Sequence, residues 1–163
     1  MPKDVVLDLG CGFGTITHNL SLIAGKVVGV DRNPFAIESA RRHYVRDNLC
    51  FVEDDAMNYL NTSGEKFDVL VLTHVLEHID DPKEFLASYS GRFRRIFIEV
   101  PDFDRNNLNH FRLDLNLAQI YTDEDHVTEF DRDEFISLID DLGLKVLDKE
   151  YRYGVQKYWI GCD

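Results

Sequence analysis

The sequence predicts a doubly wound α/β fold on a mostly parallel sheet. Three observations carry this. Short apolar runs alternate with amphipathic stretches from Val5 to Val100. Apolar strands separated by helices imply a parallel sheet covered on both faces, with right-handed crossovers. Near the end, only Arg152-Tyr153-Gly154 separates two strand-like segments. A link that short demands an antiparallel pair.

The elements follow in order. Val5 to Leu9 is a short apolar run with one acid, Asp8. Ile16, Leu20 and Ile23 are spaced for one buried helix face. Val27 to Val30 is a second strand, ending at Asp31. Ile37, Ala40 and Tyr44 mark a second helix, with Pro34 suited to its first turn. Leu49 to Val52 is a third strand, ending in Glu53-Asp54-Asp55. Phe67 to Leu72 is the fourth, and a helix from Pro82 follows it, burying Phe85, Leu86 and Tyr89. Ile96 to Val100 is the fifth, stopped by Pro101. Residues 101–130 form a long polar and aromatic connection, a length usual for functional loops. Asp131 and Glu134 make a capping box. The helix they open buries Phe135 or Ile136, Ile139 and Leu142, and Gly143 ends it. Leu144 to Tyr151 and Val155 to Ile160 are the last two strands.

Bulk properties narrow the class. The 163 residues suit one domain with a real core. No apolar run is long enough to span a membrane, and no leader is visible, so a cytoplasmic protein is expected. Cys11, Cys50 and Cys162 lack the paired spacing of a disulfide framework or a zinc site. The net charge of −12 disfavours a nucleic-acid partner.

The chemistry concentrates at Asp8-Leu9-Gly10-Cys11-Gly12-Phe13-Gly14. Glycines there allow a tight turn and let a ligand touch the backbone. Asp31 ends the second strand roughly twenty residues on, where an acid can accept both hydroxyls of a ribose; the rival role for it is capping the next helix. A dinucleotide fingerprint requires Gly or Ala at its final position, and Thr15 stands there.

The ordered set Asp8-x-Gly10-x-Gly12-x-Gly14, Asp31 and Asp54-Asp55-Ala56 resembles the class I S-adenosylmethionine-dependent methyltransferases. The segment Phe67-Asp68-Val69 through Thr73-His74-Val75-Leu76-Glu77-His78 to Pro82 is similar to their ubiquinone-biosynthesis branch. Asp125-His126-Val127-Thr128-Glu129-Phe130 resembles a segment of members acting on sugars and polysaccharide precursors. The resemblance implies a Rossmann-like sheet of order 3-2-1-4-5-7-6 with an antiparallel last strand. Residues 1–163 would be one methyltransferase domain, with 101–130 as a substrate-side insertion or lid. Gly10 and Gly12 would hold the methionine part of the cofactor, and Asp8 would brace the turn or the amino group. Asp31 would take the ribose, with Arg32 beside the adenine. Asp55 and Ala56 would bind the adenine edge, and the Thr73 carbonyl the amino group.

Methyl transfer to an alcohol needs a base, and histidine is the usual one near neutral pH. His74 best fits a base facing substrate; His78 and His126 are further candidates, and His110 also falls in the long connection. Relatives using Mg²⁺ carry a glutamate where His74 stands, so no metal is expected. Phe103, Phe111, Tyr121 and Phe130 would line the pocket or form a satellite core. The chain starts almost at its first strand. A homo-oligomer or partner subunit supplying the missing N-terminal lid is one expectation; a truncated chain or an open minimal site are the others. The expected reaction is O-methylation of a sugar, polysaccharide precursor or other metabolite. N-methylation of a small amine or amino sugar, and a cofactor-binding subunit dependent on a partner, are the alternatives.

Overall fold

The computed structural model describes residues 3–162. Its seven strands have the order β3-β2-β1-β4-β5-β7-β6, in a Rossmann-like α/β fold. The described residues form two compact units, one ending at Thr73 and the other beginning at His74.

The first unit holds β1 (Val5–Leu9), α1 (Thr15–Ser21), β2 (Lys26–Asp31), α2 (Pro34–His43), β3 (Leu49–Glu53), α3 (Ala56–Thr62) and β4 (Val69–Thr73). β1 pairs in parallel with both β2 and β4, and β2 with β3. Val6, Leu7 and Leu9 of β1 are fully buried, as are Val27 and Val30 of β2. That burial is why these strands read as unbroken apolar runs.

One expected helix face is wrong. Thr17 and Ser21, rather than Ile16 and Ile23, are the buried residues of α1. The cause lies in the neighbouring strand. A Cβ on Gly29 would meet the Thr17 methyl at 2.8 Å and Cys11 Sγ at 2.9 Å, so the helix packs unusually close to β2. The Thr17 hydroxyl donates to buried Asp8 at 2.7 Å. Only a small side chain with a donor suits that position, and Ile16, Leu22 and Ile23 are left exposed.

The second unit holds α4 (Pro82–Tyr89), β5 (Arg95–Pro101), α5 (Asn107–Asp114), α6 (Arg132–Asp141), β6 (Lys145–Arg152) and β7 (Val155–Gly161). A 3-10 turn covers Leu76–His78. β7 runs antiparallel to both β5 and β6, making it the reversed strand. The turn before it is Tyr153-Gly154, with φ of 57° and 78°. Positive φ at both central residues matches the twist of the hairpin it closes. The capping box forms as expected: Asp131 accepts from Glu134 N at 2.8 Å, and Glu134 accepts from Asp131 N at 3.2 Å. Phe135 and Ile139 are the buried residues of α6.

Residues 101–130 form a connection containing α5, which periodicity did not predict. Asn106 caps that helix. Buried Asn109 donates to the Phe103 and Ile120 carbonyls, both at 2.7 Å, and accepts from Ile120 N at 2.9 Å. Side-chain amides therefore hold this segment where apolar packing is sparse.

Candidate functional site

The glycine turn is built by the end of β2. Gly10 N and Cys11 N both donate to the Val30 carbonyl, at 2.8 and 3.1 Å. Gly12 N donates to Asp31 Oδ2 at 2.8 Å, and Asn33 N donates to Asp31 Oδ1 at 2.8 Å. Capping of α2 falls to Asn33, whose Oδ1 accepts from Phe35 N and Ala36 N. Asp31 is thus a clamp between turn and strand end, and each carboxylate oxygen keeps a further acceptor direction.

The glycines divide into two kinds. Gly10, Gly12 and Gly14 all have positive φ. A Cβ on Gly14 would strike the Phe51 ring at 2.6 Å and Ala40 at 2.9 Å, so this glycine serves packing. A Cβ on Gly12 would meet nothing within 4 Å. There the bare backbone faces open space, which lets a ligand approach it.

Asp8 lies beneath the turn. Burial pushes its carboxyl up to about 7; the Thr17 hydrogen bond opposes this and the Asp31 charge adds to it. Burial likewise pushes the Cys11 thiol up to about 12, with Asp8 and Asp31 adding to the shift. A thiol so disposed is an inert filler.

The remaining cofactor candidates lie at strand and helix ends. Arg32 is exposed beyond β2, and Thr73 is the half-buried last residue of β4. Asp55 caps α3, its Oδ1 accepting from Met57 N at 2.9 Å and Asn58 N at 3.1 Å. Ala56 opens that helix. Asp54 N donates to the Asp31 carbonyl at 3.1 Å, tying the strand-three acids to the clamp.

In the second unit, His74 has both ring nitrogens against carboxylates. Nδ1 lies 3.0 Å from Glu77 Oε1 and Nε2 lies 3.3 Å from Glu99 Oε1. Hydrogen bonds that His74 donates to Glu77 and Glu99 lift its pKa to about 9. Its φ of 54° is uncommon outside glycine. Both ring nitrogens of His74 are thus engaged by carboxylates. Glu99 also pairs with Lys157 at 3.1 Å.

His78 and His126 come together, their ring centroids 4.8 Å apart. His78 Nδ1 lies 3.2 Å from the Asp125 carbonyl. His126 Nδ1 lies 2.5 Å from Glu129 Oε1, which also accepts from the Thr122 hydroxyl. Each contact places the proton on Nδ1 and leaves a lone pair on Nε2. His110 stands apart, on exposed α5 beside Phe111. The aromatic residues do not form one pocket wall. Phe103 packs edge-on to Tyr121, Phe130 is buried against Phe135, and Phe111 is exposed.

Sequence reasoning passed over Glu99, Glu129 and Lys157. Glu129 did carry a signal, standing three residues after His126. Glu99 and Lys157 face each other only through the β5–β7 register.

A family model described as methyltransferase domain matches residues 2–132. The mitochondrial ubiquinone biosynthesis O-methyltransferase of Schizosaccharomyces pombe is 35% identical over 89 residues, covering 51% of this chain and 31% of that protein. The chain spans about a third of the length of the curated relatives it matches. Among solved structures, magnesium protoporphyrin IX methyltransferase from Synechocystis with bound S-adenosylhomocysteine superposes with a TM-score of 0.73 at 15% identity, covering 98% of this chain and 74% of that one. A Haloferax volcanii methyltransferase in complex with its Trm112 activator gives a TM-score of 0.73 at 17% identity, covering 98% and 82%. These structural likenesses establish the fold.

Proposed function

We propose, from the fact that this chain belongs to the methyltransferase domain family, that it is an S-adenosylmethionine-dependent methyltransferase acting on a hydroxyl of a small molecule. The observation that carries this is the Asp31 clamp on Gly12 beside a glycine backbone open to a ligand.

The residues fit the cofactor. Gly12 offers bare backbone to the methionine part, with Gly10 holding the turn. Asp31 keeps acceptor directions for the ribose hydroxyls, with Arg32 alongside. Asp55 commits Oδ1 to its helix, leaving Oδ2 for an exocyclic amine, and Ala56 adds a small surface there. Asp8 braces the turn through Thr17, and Thr73 offers its carbonyl at the end of β4. The cofactor supplies an electrophilic methyl group and its own leaving group. The protein's contribution is then orientation and the handling of one proton.

That proton is assigned to the His78–His126 pair, since His74 is held by two carboxylates. The Glu129–His126 hydrogen bond orients the ring, as a third group orients a base in other sites. Oxygen is preferred as acceptor because the matched relatives are named O-methyltransferases. Those relatives are named for ubiquinone biosynthesis, which favours a quinone-like or phenolic hydroxyl over the sugar expected from residues 125–130. Incubation with methyl-labelled S-adenosylmethionine and parallel panels of phenols, sugars and amines tests this. Label in a phenolic or sugar ether supports the reading, and label in amines alone overturns it.

A second reading, a cofactor-binding chain that turns over only with a partner, is favoured by one observation. Phe13 and Phe35 pair edge-on at 6.1 Å beside the glycine turn, and both are exposed, at 55% and 70%. Cofactor binding by the isolated chain with no turnover on any panel would favour it.

A further inference from the structure

We propose, resting on the assignment of the proton to the His78–His126 pair, that Gln156 is a positioning residue for His126. Its side-chain amide clasps the two ends of the 102–129 segment and so fixes where that histidine stands.

The position of Gln156 is unusual for its residue type. β7 turns Gln156, Tyr158 and Ile160 to one buried face. Gln156 is 0% exposed, and an amide there is costly unless its polar atoms are paired. All of them are. Nε2 donates to the Pro101 carbonyl at 3.2 Å and to the Phe130 carbonyl at 2.6 Å. Oε1 accepts from the Tyr158 hydroxyl at 2.5 Å. Two carbonyls on one side and a hydroxyl on the other decide which end of the amide is nitrogen.

The two carbonyls bound by Gln156 are the ends of the segment. Pro101 closes β5, and Phe130 precedes the Asp131 cap of α6. A second layer of bonds sits beside the first. Phe103 N donates to the Phe130 carbonyl at 3.2 Å. Arg132 sets Nε and Nη2 on Asp102 Oδ2, at 2.9 and 2.6 Å. The Phe130 carbonyl thus holds two donors, as many as its lone pairs. The segment is a loop with a closed neck, and Gln156 is the one side chain that grips both of its ends.

His126 stands just inside that neck. Glu129 directly precedes Phe130 and holds His126 Nδ1. Between them, Val127 N and Thr128 N donate to the Glu77 carbonyl, at 2.9 and 3.1 Å. The stretch carrying His126 is therefore fixed at the neck and at the 3-10 turn that carries His78. Its 4.8 Å ring separation from His78 follows from those two attachments. The body of the segment adds little apolar support, since Leu108, Phe111 and Leu115 are exposed. Losing the clasp would free one of the two attachments, and a misplacement of about 1 Å can cost roughly 100-fold in rate.

The test uses the full chain and needs no substrate for its main readouts, which are hydrogen exchange and nitrogen NMR of the imidazole rings. In the wild type, the Gln156 side-chain amide protons and the Phe103 N–H should exchange slowly, and the His126 proton should reside on Nδ1. Gln156→Met fills the same space and removes both donors. It should speed exchange across 103–129 by roughly 10–100-fold and release His126 into a mixture of tautomers. Ile139→Val leaves a void in the core but touches no part of the neck, and should keep the wild-type tautomer. With catechol as the probe acceptor, Gln156→Met should lower kcat by roughly 100-fold and leave the S-adenosylhomocysteine affinity unchanged. Rapid exchange of the Gln156 amide protons in the wild type overturns the proposal without any variant. So does a folded Gln156→Met chain with the wild-type tautomer and exchange, or one whose S-adenosylhomocysteine affinity falls as far as its kcat. A wild type that leaves catechol untouched counts against the proposed function instead, and the exchange and NMR results still decide the clasp.

Discussion

Asp31 holds Gly12 by accepting its amide at 2.8 Å, and the same carboxylate accepts Asn33 N at 2.8 Å. One side chain therefore sets the shape of the glycine turn and the end of β2 together. Asp31→Ala removes both hydrogen bonds and the proposed ribose partner. Hydrogen bonds to charged groups contribute about 1.5–3 kcal/mol each. Calorimetry should show cofactor affinity falling by roughly two orders of magnitude or more. Unchanged affinity would remove Asp31 from the site.

Gly12 and Gly14 should respond differently to alanine. Gly14→Ala places a methyl 2.6 Å from the Phe51 ring at a φ of 81°, so overpacking and strain combine. A stability loss of about 2–4 kcal/mol is expected in denaturant melts. Gly12→Ala meets no atom and carries only the strain of its φ, about 1 kcal/mol. Its methyl instead occupies the space open to a ligand. Cofactor affinity should fall far more than stability, and the reverse order would contradict the assignment.

Asp8 should give the fold a distinct pH dependence. Burial raises its folded pKa from 3.8 to about 7. The folded state therefore holds its proton more tightly than the unfolded chain. The stability this contributes is full below about 3.8 and is lost as pH rises through about 7. Asp8→Asn keeps an acceptor for Thr17 and removes the titration. Measured as the difference between the two proteins, the stability of the wild type should decline between pH 4 and pH 8 by at most about 4 kcal/mol. A flat difference across that window would show that Asp8 titrates normally.

The parallel strands were legible because they are buried on both faces, which leaves largely apolar runs such as Val5–Leu9 and Val27–Val30. The hairpin was legible from the short Arg152-Tyr153-Gly154 link, and α6 from its capping box. The inward face of α1 was not, because a buried acid and a strand glycine select Thr17 over Ile16 there. Helix α3 was hidden because Asp55 was read as a ligand contact when it is also an N-cap. Helix α5 was hidden because amide hydrogen bonds from Asn106 and Asn109 replace an apolar stripe. The site divided along the same line. The glycine turn and Asp31 are local in sequence and could be read. The engagement of His74 by Glu99 arises where His74 N meets the Glu99 carbonyl at 3.0 Å, which no spacing encodes.

The most direct measurement is thermal unfolding with S-adenosylmethionine, S-adenosylhomocysteine or NAD, each in large excess. At a hundredfold over its dissociation constant a ligand adds about 2.7 kcal/mol. For a chain of this size that raises the midpoint by several degrees. The account predicts such a rise with both adenosyl compounds, none with NAD, and its loss in Asp31→Ala. Stabilisation by NAD and by neither adenosyl compound would contradict it.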